Sequence, residues 1–453
     1  MQIGDIVQLK IDKLVFEGAG LARKDGLTIF VDGVCPGDIV KAELISINKT
    51  FARAKFVELI VASDKRVKPF CAMSNVCGGC CWQHVDYTEQ LVQKKNIVIE
   101  TIKKIAGLDV EVGDVISSND ILGYRHKTQY PVSQTKVSKR LLAGYYKKNT
   151  HEIVNIKHCP VQPKIVDDIV DFIRENISKY NITAYDEKKH KGTLRHIVCR
   201  HSAFNQKTLL ILVVNDIKLH NGIKLLLNDI FEKFDEISGC VVNFNTKKTN
   251  TIFGEKTITV IGDDFYNEKL GEKIYKISSN SFFQVNPSSA INLLETAKKM
   301  IVENTEKPKI LDAYSGVGSF GIYLSDIAES VTFVEDYAPA CADALINVGL
   351  NNLKNYEILT GDAKVELKKL VDRNEKYDVV ILDPPRKGLS EEALNFAVDL
   401  SKNIIVYVSC NPTTLARDLK LFKEKGFEPQ YVQPVDMFCH TFHIENVALL
   451  KKN

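Results

Sequence analysis

Four short apolar runs in the last third of the chain, Lys309–Ala313, Val331–Glu335, Asp378–Asp383 and Asn403–Ser409, constrain the fold most. Segments with helical patterning, Ala338–Leu350 and Ser390–Leu400, separate them. Strands that are apolar along their whole length must be covered on both faces, and helices between them supply the cover. The pattern therefore predicts an open, doubly wound, Rossmann-like α/β sheet over residues 276–453, with any ligand bound at the carboxyl edge of its strands.

The remaining chain is long enough for further cores, since 453 residues at roughly 150 per domain suggest about three. Residues 1–62 alternate β-type runs (Ile6–Ile11, Thr28–Val31, Asp38–Ile47, Ala52–Leu59) with turn clusters such as Gly18-Ala19-Gly20, which predicts a small, OB-like β-barrel suited to RNA. Residues 63–275 read as an α+β middle domain. In it a helix over Tyr87–Ala106 places Leu91, Val98, Ile102 and Ile105 on one face and stops at Gly107, with a second helix over Lys164–Asn176 and strands at Thr208–Val214 and Gly239–Asn243. The net charge is only +3, from 60 Lys and Arg against 57 Asp and Glu, so nucleic acid must be held by local sites. No apolar run reaches the ~18 residues of a membrane span and the N-terminus lacks a signal-peptide core, so a cytoplasmic protein without membrane contact is expected. Nothing in the sequence predicts an obligate protein partner.

A glycine loop, Asp312-Ala313-Tyr314-Ser315-Gly316-Val317-Gly318-Ser319-Phe320-Gly321, follows the first of the four strands. It lacks the full dinucleotide fingerprint and the lysine of a phosphate loop, while Glu335 ends the next strand where a carboxylate can bind both hydroxyls of a ribose. Asp383-Pro384-Pro385-Arg386 ends the third strand at the same edge. Together these favour S-adenosylmethionine over NAD or ATP.

Ser409-Cys410-Asn411-Pro412 closes the fourth strand, and Thr413–Phe422 is helical in pattern, so Cys410 stands just before a helix N-terminus, where the dipole is expected to favour a thiolate. A thiolate matters for one acceptor in particular. Uracil C5 is a poor nucleophile until a thiolate adds to C6 and generates an enolate; loss of the C5 proton then requires a base, for which Glu445 is the candidate. Methylation of an exocyclic amine would need neither residue.

Cys71, Cys77 and Cys80 form a C-x5-C-x2-C pattern, and Cys159 offers a distant fourth thiolate. Four thiolates suit zinc or an iron–sulfur cluster. Cys81, Cys35, Cys199, Cys240, Cys341 and Cys439 are expected to pack or remain free.

These motifs, with Phe282-Phe283-Gln284-Val285-Asn286 and His443-Ile444-Glu445-Asn446, make the chain similar to the RNA uracil-5-methyltransferase family over nearly its full length. That resemblance implies S-adenosylmethionine contacts from Gln284, Tyr314, Glu335 and Asp383, with Ser319 and Asp362 as further candidates, Cys410 as nucleophile and Glu445 as base. It also implies a target uridine flipped from its RNA fold. Phe282 is a candidate to stack on it, or else a core residue, and Arg125 a candidate to hold phosphate or base. The cysteine run resembles the family's [4Fe–4S] form, and the N-terminal barrel resembles the TRAM module. This pairing points to the branch acting on 23S ribosomal RNA, with transfer RNA second and a non-catalytic ribosome assembly factor as the reading from another class.

Overall fold

The computed structural model describes residues 1–453. Six short strands come first: β1 (Ile6–Lys10), β2 (Lys13–Leu14), β3 (Gly20–Lys24), β4 (Leu27–Val31), β5 (Ile39–Ile47) and β6 (Phe51–Val61), in the order β1-β5-β6-β4-β3-β2. The edge strands β1 and β2 are consecutive in the chain, and the Asp12 N–H at their junction donates to Leu21 O (2.8 Å), so the sheet closes on itself as a barrel. Alternate residues, among them Val7, Leu9, Val40, Ala42 and Leu44, fill its interior. Strand β3 opens at Gly20, inside what reads in the sequence as a turn cluster.

Helix α1 (Tyr87–Ala106) begins at Asp86, whose carboxylate accepts from Thr88 N–H (3.0 Å), and ends at Gly107 with φ 68°. Its buried face is not the expected apolar stripe. Gln90, Gln93 and Lys94 are buried beside Ile97, Val98, Ile102 and Ala106, while Ile105 is 39% exposed. The cause is a polar partner surface: Lys94 Nζ meets Asp436 (2.6 Å) and Phe438 O (3.1 Å), and Gln90 Oε1 accepts from His440 N–H (3.0 Å). Strand β7 (Glu111–Val112) then joins the C-terminal sheet.

The middle sheet runs β13-β12-β11-β10-β8-β9, from β8 (Lys127–Gln134), β9 (Leu141–Ala143), β10 (Leu194–His201), β11 (Thr208–Val214), β12 (Ile237–Phe244) and β13 (Lys256–Gly262). Helices α2 (Lys164–Asn176) and α3 (Asn221–Lys233) cover one face. The other face, with Val198, Leu209, Ile211 and Val213, shares a core with the C-terminal domain, which explains why every residue of β11 is buried.

A hairpin, β14 (Phe265–Leu270) and β15 (Lys273–Ser278), and helix α4 (Pro287–Val302) lead into the C-terminal domain. There β16 (Lys309–Ala313), α5 (Ser319–Tyr323), β17 (Ser330–Glu335), α6 (Ala338–Leu350), β18 (Tyr356–Thr360), α7 (Ala363–Asp372), β19 (Tyr377–Leu382), α8 (Glu391–Leu400) and β20 (Ser401–Ser409) alternate. Helix α9 (Pro412–Glu424) and strands β21 (Phe427–Val435) and β22 (Glu445–Lys452) complete an eight-stranded sheet, β18-β17-β16-β19-β20-β22-β21-β7. The five strands from β18 to β20 are parallel, and β22 enters antiparallel between β20 and β21. This is the expected doubly wound, Rossmann-like domain, preceded by an α+β middle domain and the N-terminal barrel. The chain leaves β16 toward β17 and β18, then returns to place β19 on its other side, so the topological switch point lies between β16 and β19. No helix is long and apolar enough to cross a membrane.

Candidate active site

The loop after β16 borders the switch-point crevice. Tyr314 (φ 65°), Gly316 (φ 56°) and Gly318 (φ 86°) all have left-handed backbones, and for tyrosine that conformation is strained. Gly321 meets a different demand, because a Cβ there would lie 2.3 Å from Phe333 Cε1, so its absence lets α5 sit against β17. Glu335, at the end of β17, holds the loop: its carboxylate oxygens accept from Gly316 N–H (2.8 Å) and Tyr337 N–H (2.9 Å).

Asp312 lies beneath the loop, fully buried. Its Oδ2 accepts from Gly321 N–H (2.8 Å), whereas Oδ1 has no partner. Burial, with Asp383 and Glu335 nearby, pushes its carboxyl up to about 8. Asp383, the first residue past β19, donates its N–H to Ala313 O (3.4 Å), and burial pushes its carboxyl up to about 7. Ser319 opens α5, and its carbonyl accepts from Tyr275 (3.1 Å). Gln284 is half-buried just before α4, whereas Asp362 is exposed and caps α7 by accepting from Val365 N–H (3.3 Å). Tyr314, Glu335 and Asp383 thus sit with Asp312 at one edge. This cluster of carboxyl groups, with one free oxygen on Asp312, suits a ligand that carries hydroxyls and a positive centre.

Strand β20 delivers Cys410 to the same edge. Antiparallel pairing sets Ser409 opposite Asn446, whose Nδ2–H donates to Ser409 O (3.3 Å), and this brings Glu445 beside Cys410. The expectation that the helix dipole favours a thiolate fails. Burial, then Glu445 and Asp383, push the Cys410 thiol up to about 11, with Arg386 and a backbone N–H at Cys410 opposing. The Asn411 side chain accepts from Thr413 N–H (3.0 Å), so the cap of α9 is Asn411 and the sulfur gains none of those donors. Glu445 is 6% exposed, and burial pushes it up to about 8, with Asp383 adding and Arg386 opposing. The Arg386 carbonyl accepts from Asn411 Nδ2 (3.2 Å) and Thr414 Oγ1 (3.3 Å), which ties the Asp383 loop to the Cys410 turn. Sequence reasoning overlooked Asp312 and Arg386 as site residues; the only signal for Asp312 is an acid within an otherwise apolar strand.

Of the two RNA candidates, Phe282 is 60% exposed, with Lys127 Nζ 5.7 Å from its ring, so core packing is excluded for it. Arg125 lies over the Tyr145 ring (5.8 Å) and lines the cavity described next.

Cys71, Cys77, Cys80 and Cys159 line one cavity of about 230 Å³, together with Arg125 and Arg386. Gly79 N–H points at Cys77 Sγ (3.4 Å), and Gly78 packs so closely on Tyr146 O that a Cβ would lie 2.9 Å from it. No three His, Cys, Asp or Glu side chains are gathered closely enough to hold a metal ion. Cys81 points away, into a small core with Leu14, Cys35, Trp82, Val85 and Ile97. All eleven cysteines are free thiols.

Comparison with known proteins bears on the whole chain. The family model described as tRNA (Uracil-5-)-methyltransferase matches residues 248–453, and the TRAM domain model matches residues 1–57. An uncharacterized RNA methyltransferase of Bacillus cereus is 37% identical over 99% of this chain and 97% of its own length. One from Clostridium acetobutylicum is 38% identical over 98% of this chain and 96% of its own. Among solved structures, the Pyrococcus abyssi tRNA (uracil-54, C5)-methyltransferase in complex with S-adenosyl-L-homocysteine superposes with a TM-score of 0.76 at 30% identity, covering 98% of this chain and 100% of that one. With identity of this order sustained from the barrel to the last strand, the chain belongs to the RNA uracil-5-methyltransferase family, as an enzyme with an N-terminal TRAM domain.

Proposed function

We propose that the protein methylates C5 of a uridine in structured RNA in the cytoplasm, using S-adenosylmethionine and a transient bond between Cys410 and uridine C6. The observation that carries this reading is the meeting of Cys410, Glu445 and Asp383 at the switch-point crevice. Gln284, Tyr314, Ser319, Glu335, Asp362 and Asp383 would hold the cofactor, and the unpartnered Asp312 Oδ1 is an acceptor free for it. The cofactor supplies an electrophilic methyl group on a cationic sulfur. The Cys410 proton passes to solvent and Sγ bonds to C6, with Arg386 as the nearby cation that favours the thiolate. The C5=C6 electron pair is thereby made available at C5 for the methyl. Glu445 then takes the C5 proton, the C6–S bond breaks, and Cys410 is recovered. A carboxyl pushed up to about 8 holds its own proton at neutral pH, so Glu445 gives that proton to solvent first and then, ionised, is a stronger base for the C5 proton than an ordinary carboxylate.

The four cysteines line one cavity and a backbone N–H points at Cys77 Sγ, but the thiols are not gathered closely enough here to hold a metal, so a metal centre would require them to draw together. Cys71, Cys77, Cys80 and Cys159 would hold a [4Fe–4S] cluster, with zinc the alternative, in a structural role, because methyl transfer has no need of redox chemistry. Iron and sulfide analysis distinguishes the two; zinc without iron would end the cluster assignment. The barrel, the cysteine loop and residues 145–151 frame a groove of about 1730 Å³ lined by Phe30, Arg53, Arg66, Lys147 and Lys148, a combination of aromatic and cationic groups suited to RNA. Phe282 and Arg125 are the candidate contacts nearer the reaction.

The TRAM module and the four-cysteine loop favour 23S ribosomal RNA. Transfer RNA is supported by the likeness to the Pyrococcus abyssi enzyme. Incubation with labelled cofactor and separated, unmodified ribosomal and transfer RNA, followed by nucleoside mass spectrometry, tests both. Methyl on uridine C5 is expected, in ribosomal RNA; label on a base amine would overturn the covalent route. A Cys410→Ala protein that still supports its cellular role would favour an assembly function.

A further inference from the structure

One buried cation on the middle sheet, Arg200, makes no hydrogen bond of ordinary geometry in the protein, and the phenol of Tyr266, ahead of Asp343, is what favours its charge. Arg200 lies two residues beyond Val198 on β10, so its side chain shares the face that packs toward Tyr266 and Tyr275 of the β14–β15 hairpin. It is 1% exposed, and none of Nε, Nη1 or Nη2 has a hydrogen-bond partner. Asp343 is within electrostatic reach, but its oxygens are engaged by Ser278 N–H (2.9 Å), Ser278 Oγ–H (2.6 Å) and Ser281 Oγ–H (2.6 Å).

Arg200 is also not alone. Lys127 is its register partner across β8 and β10, and burial, then Arg200 and Arg125, push the Lys127 ammonium down to about 7. Like charges side by side in a closed seam oppose folding unless something anionic joins them. Lys127 is half-buried at the rim, beside the 60% exposed ring of Phe282, and Tyr337, 41% exposed, is near Arg200. Arginine presents donors in a fork that matches oxyanions, and exposed aromatic rings next to it give bases a surface to stack on.

We propose that Arg200 and Lys127 form a phosphodiester-binding subsite at the seam between the middle sheet and the catalytic domain, holding the RNA backbone beside the nucleotide that meets Phe282. This inference rests on the reading of RNA as substrate. The other anion at hand is the carboxylate of the cofactor. The cofactor candidates Asp312 and Glu335 lie at the carboxyl ends of β16 and β17, whereas Lys127 and Phe282, the latter two residues before the further cofactor candidate Gln284, stand at the solvent rim where a chain of phosphates can pass.

The test uses the full chain saturated with S-adenosylhomocysteine and unmodified transcripts of 23S ribosomal RNA fragments and transfer RNA. Arg200→Met is expected to weaken binding of the methylated transcript on the order of 10-fold and to lower the slope of log K against log salt by about 0.7–0.9, the share of one phosphate contact. Affinity for S-adenosylhomocysteine should stay within about twofold, and Arg200→Lys should restore part of the salt slope. Should Arg200→Met lose its cooperative melt, Lys127→Met at the rim carries the same slope measurement. An unchanged RNA affinity and salt slope would overturn the subsite, as would weakened cofactor binding with RNA binding intact, which assigns the pair to the cofactor carboxylate. The two readings fail separately: a wild-type protein that binds these transcripts but methylates neither removes the reaction, whereas one that methylates and is indifferent to Arg200→Met removes only the subsite.

Discussion

Cys410 stores its reactivity instead of displaying it. A thiol pushed up to about 11 is almost entirely protonated at neutral pH, so alkylation of the free enzyme by iodoacetamide should be slow at pH 7 and accelerate steadily to pH 10. Rapid alkylation at pH 7 would mean that the resting sulfur is a thiolate. On the proposed mechanism, Glu445→Gln keeps the nucleophile but loses the base, so methyl transfer falls about 10²–10⁴-fold while a protein–RNA adduct that survives denaturing electrophoresis accumulates. If no adduct forms with Glu445→Gln and it does form with wild type, Glu445 acts before bond formation. The buried carboxyls also set a pH dependence of stability. Asp312, Asp383 and Glu445 are pushed up to about 8, 7 and 8, above their unfolded values near 4, so each binds its proton more tightly when folded. Their contribution is complete below about pH 4 and is lost as pH rises through 7–8. The melting temperature of the cofactor-free protein should therefore decline between pH 6 and pH 9, and Asp312→Asn should flatten that decline; a pH-independent melt would refute the assignment.

At the scale of elements, α1 shows both what the sequence discloses and where it stops. Its ends are legible because Asp86 caps locally and Gly107 takes a left-handed backbone, interactions that span a turn. Its buried face is not, because Gln90 and Lys94 are held by residues more than three hundred positions away. The same division runs through the site. The strands and helices of the doubly wound sheet follow from continuous apolar runs, and the glycine loop from its spacing. The approach of Glu445 to Cys410 depends on β22 entering antiparallel between β20 and β21, which no local pattern encodes. Strand β2, two residues long, carries no periodicity to read. The Lys94–Asp436 pair offers a test at this scale. Both side chains are 0% exposed, and Asp436 also accepts from Tyr87 Oη–H (2.9 Å) and Phe438 N–H (3.1 Å), so it anchors the segment that precedes Glu445. Lys94→Met leaves that carboxylate buried without its cation and should cost about 3–5 kcal/mol in urea unfolding. A loss below about 1 kcal/mol would show the pair to be no stronger than a surface bridge.

Across the whole molecule, the segment from Arg66 to Val85 is where the three parts of the chain meet. Arg66 pairs with Asp38 of the barrel (2.6 Å), and Trp82 Nε1–H donates to Gly18 O (3.0 Å). Gly78 N–H donates to Tyr146 O in the middle domain (2.9 Å), and the N–H groups of Cys81 and Trp82 both donate to His440 O (3.0 Å each), five residues ahead of Glu445. A metal centre on Cys71, Cys77, Cys80 and Cys159 would close a loop of some eighty residues across this junction, and closing a long loop limits the freedom of everything attached to it. The hydrogen bonds that hold the glycine loop, from Gly316 and Tyr337 to Glu335 and from Gly321 to Asp312, involve none of this segment. If the four cysteines hold a metal as proposed, Cys77→Ser should release it, lower the melting temperature by several degrees and reduce methyl transfer and RNA affinity, while equilibrium dialysis finds S-adenosylmethionine binding unchanged. If cofactor affinity fell in step with RNA affinity, the junction would reach through the catalytic domain to the crevice itself. If neither moved and the melt were unaltered, the four cysteines would have no part in joining the barrel to the site.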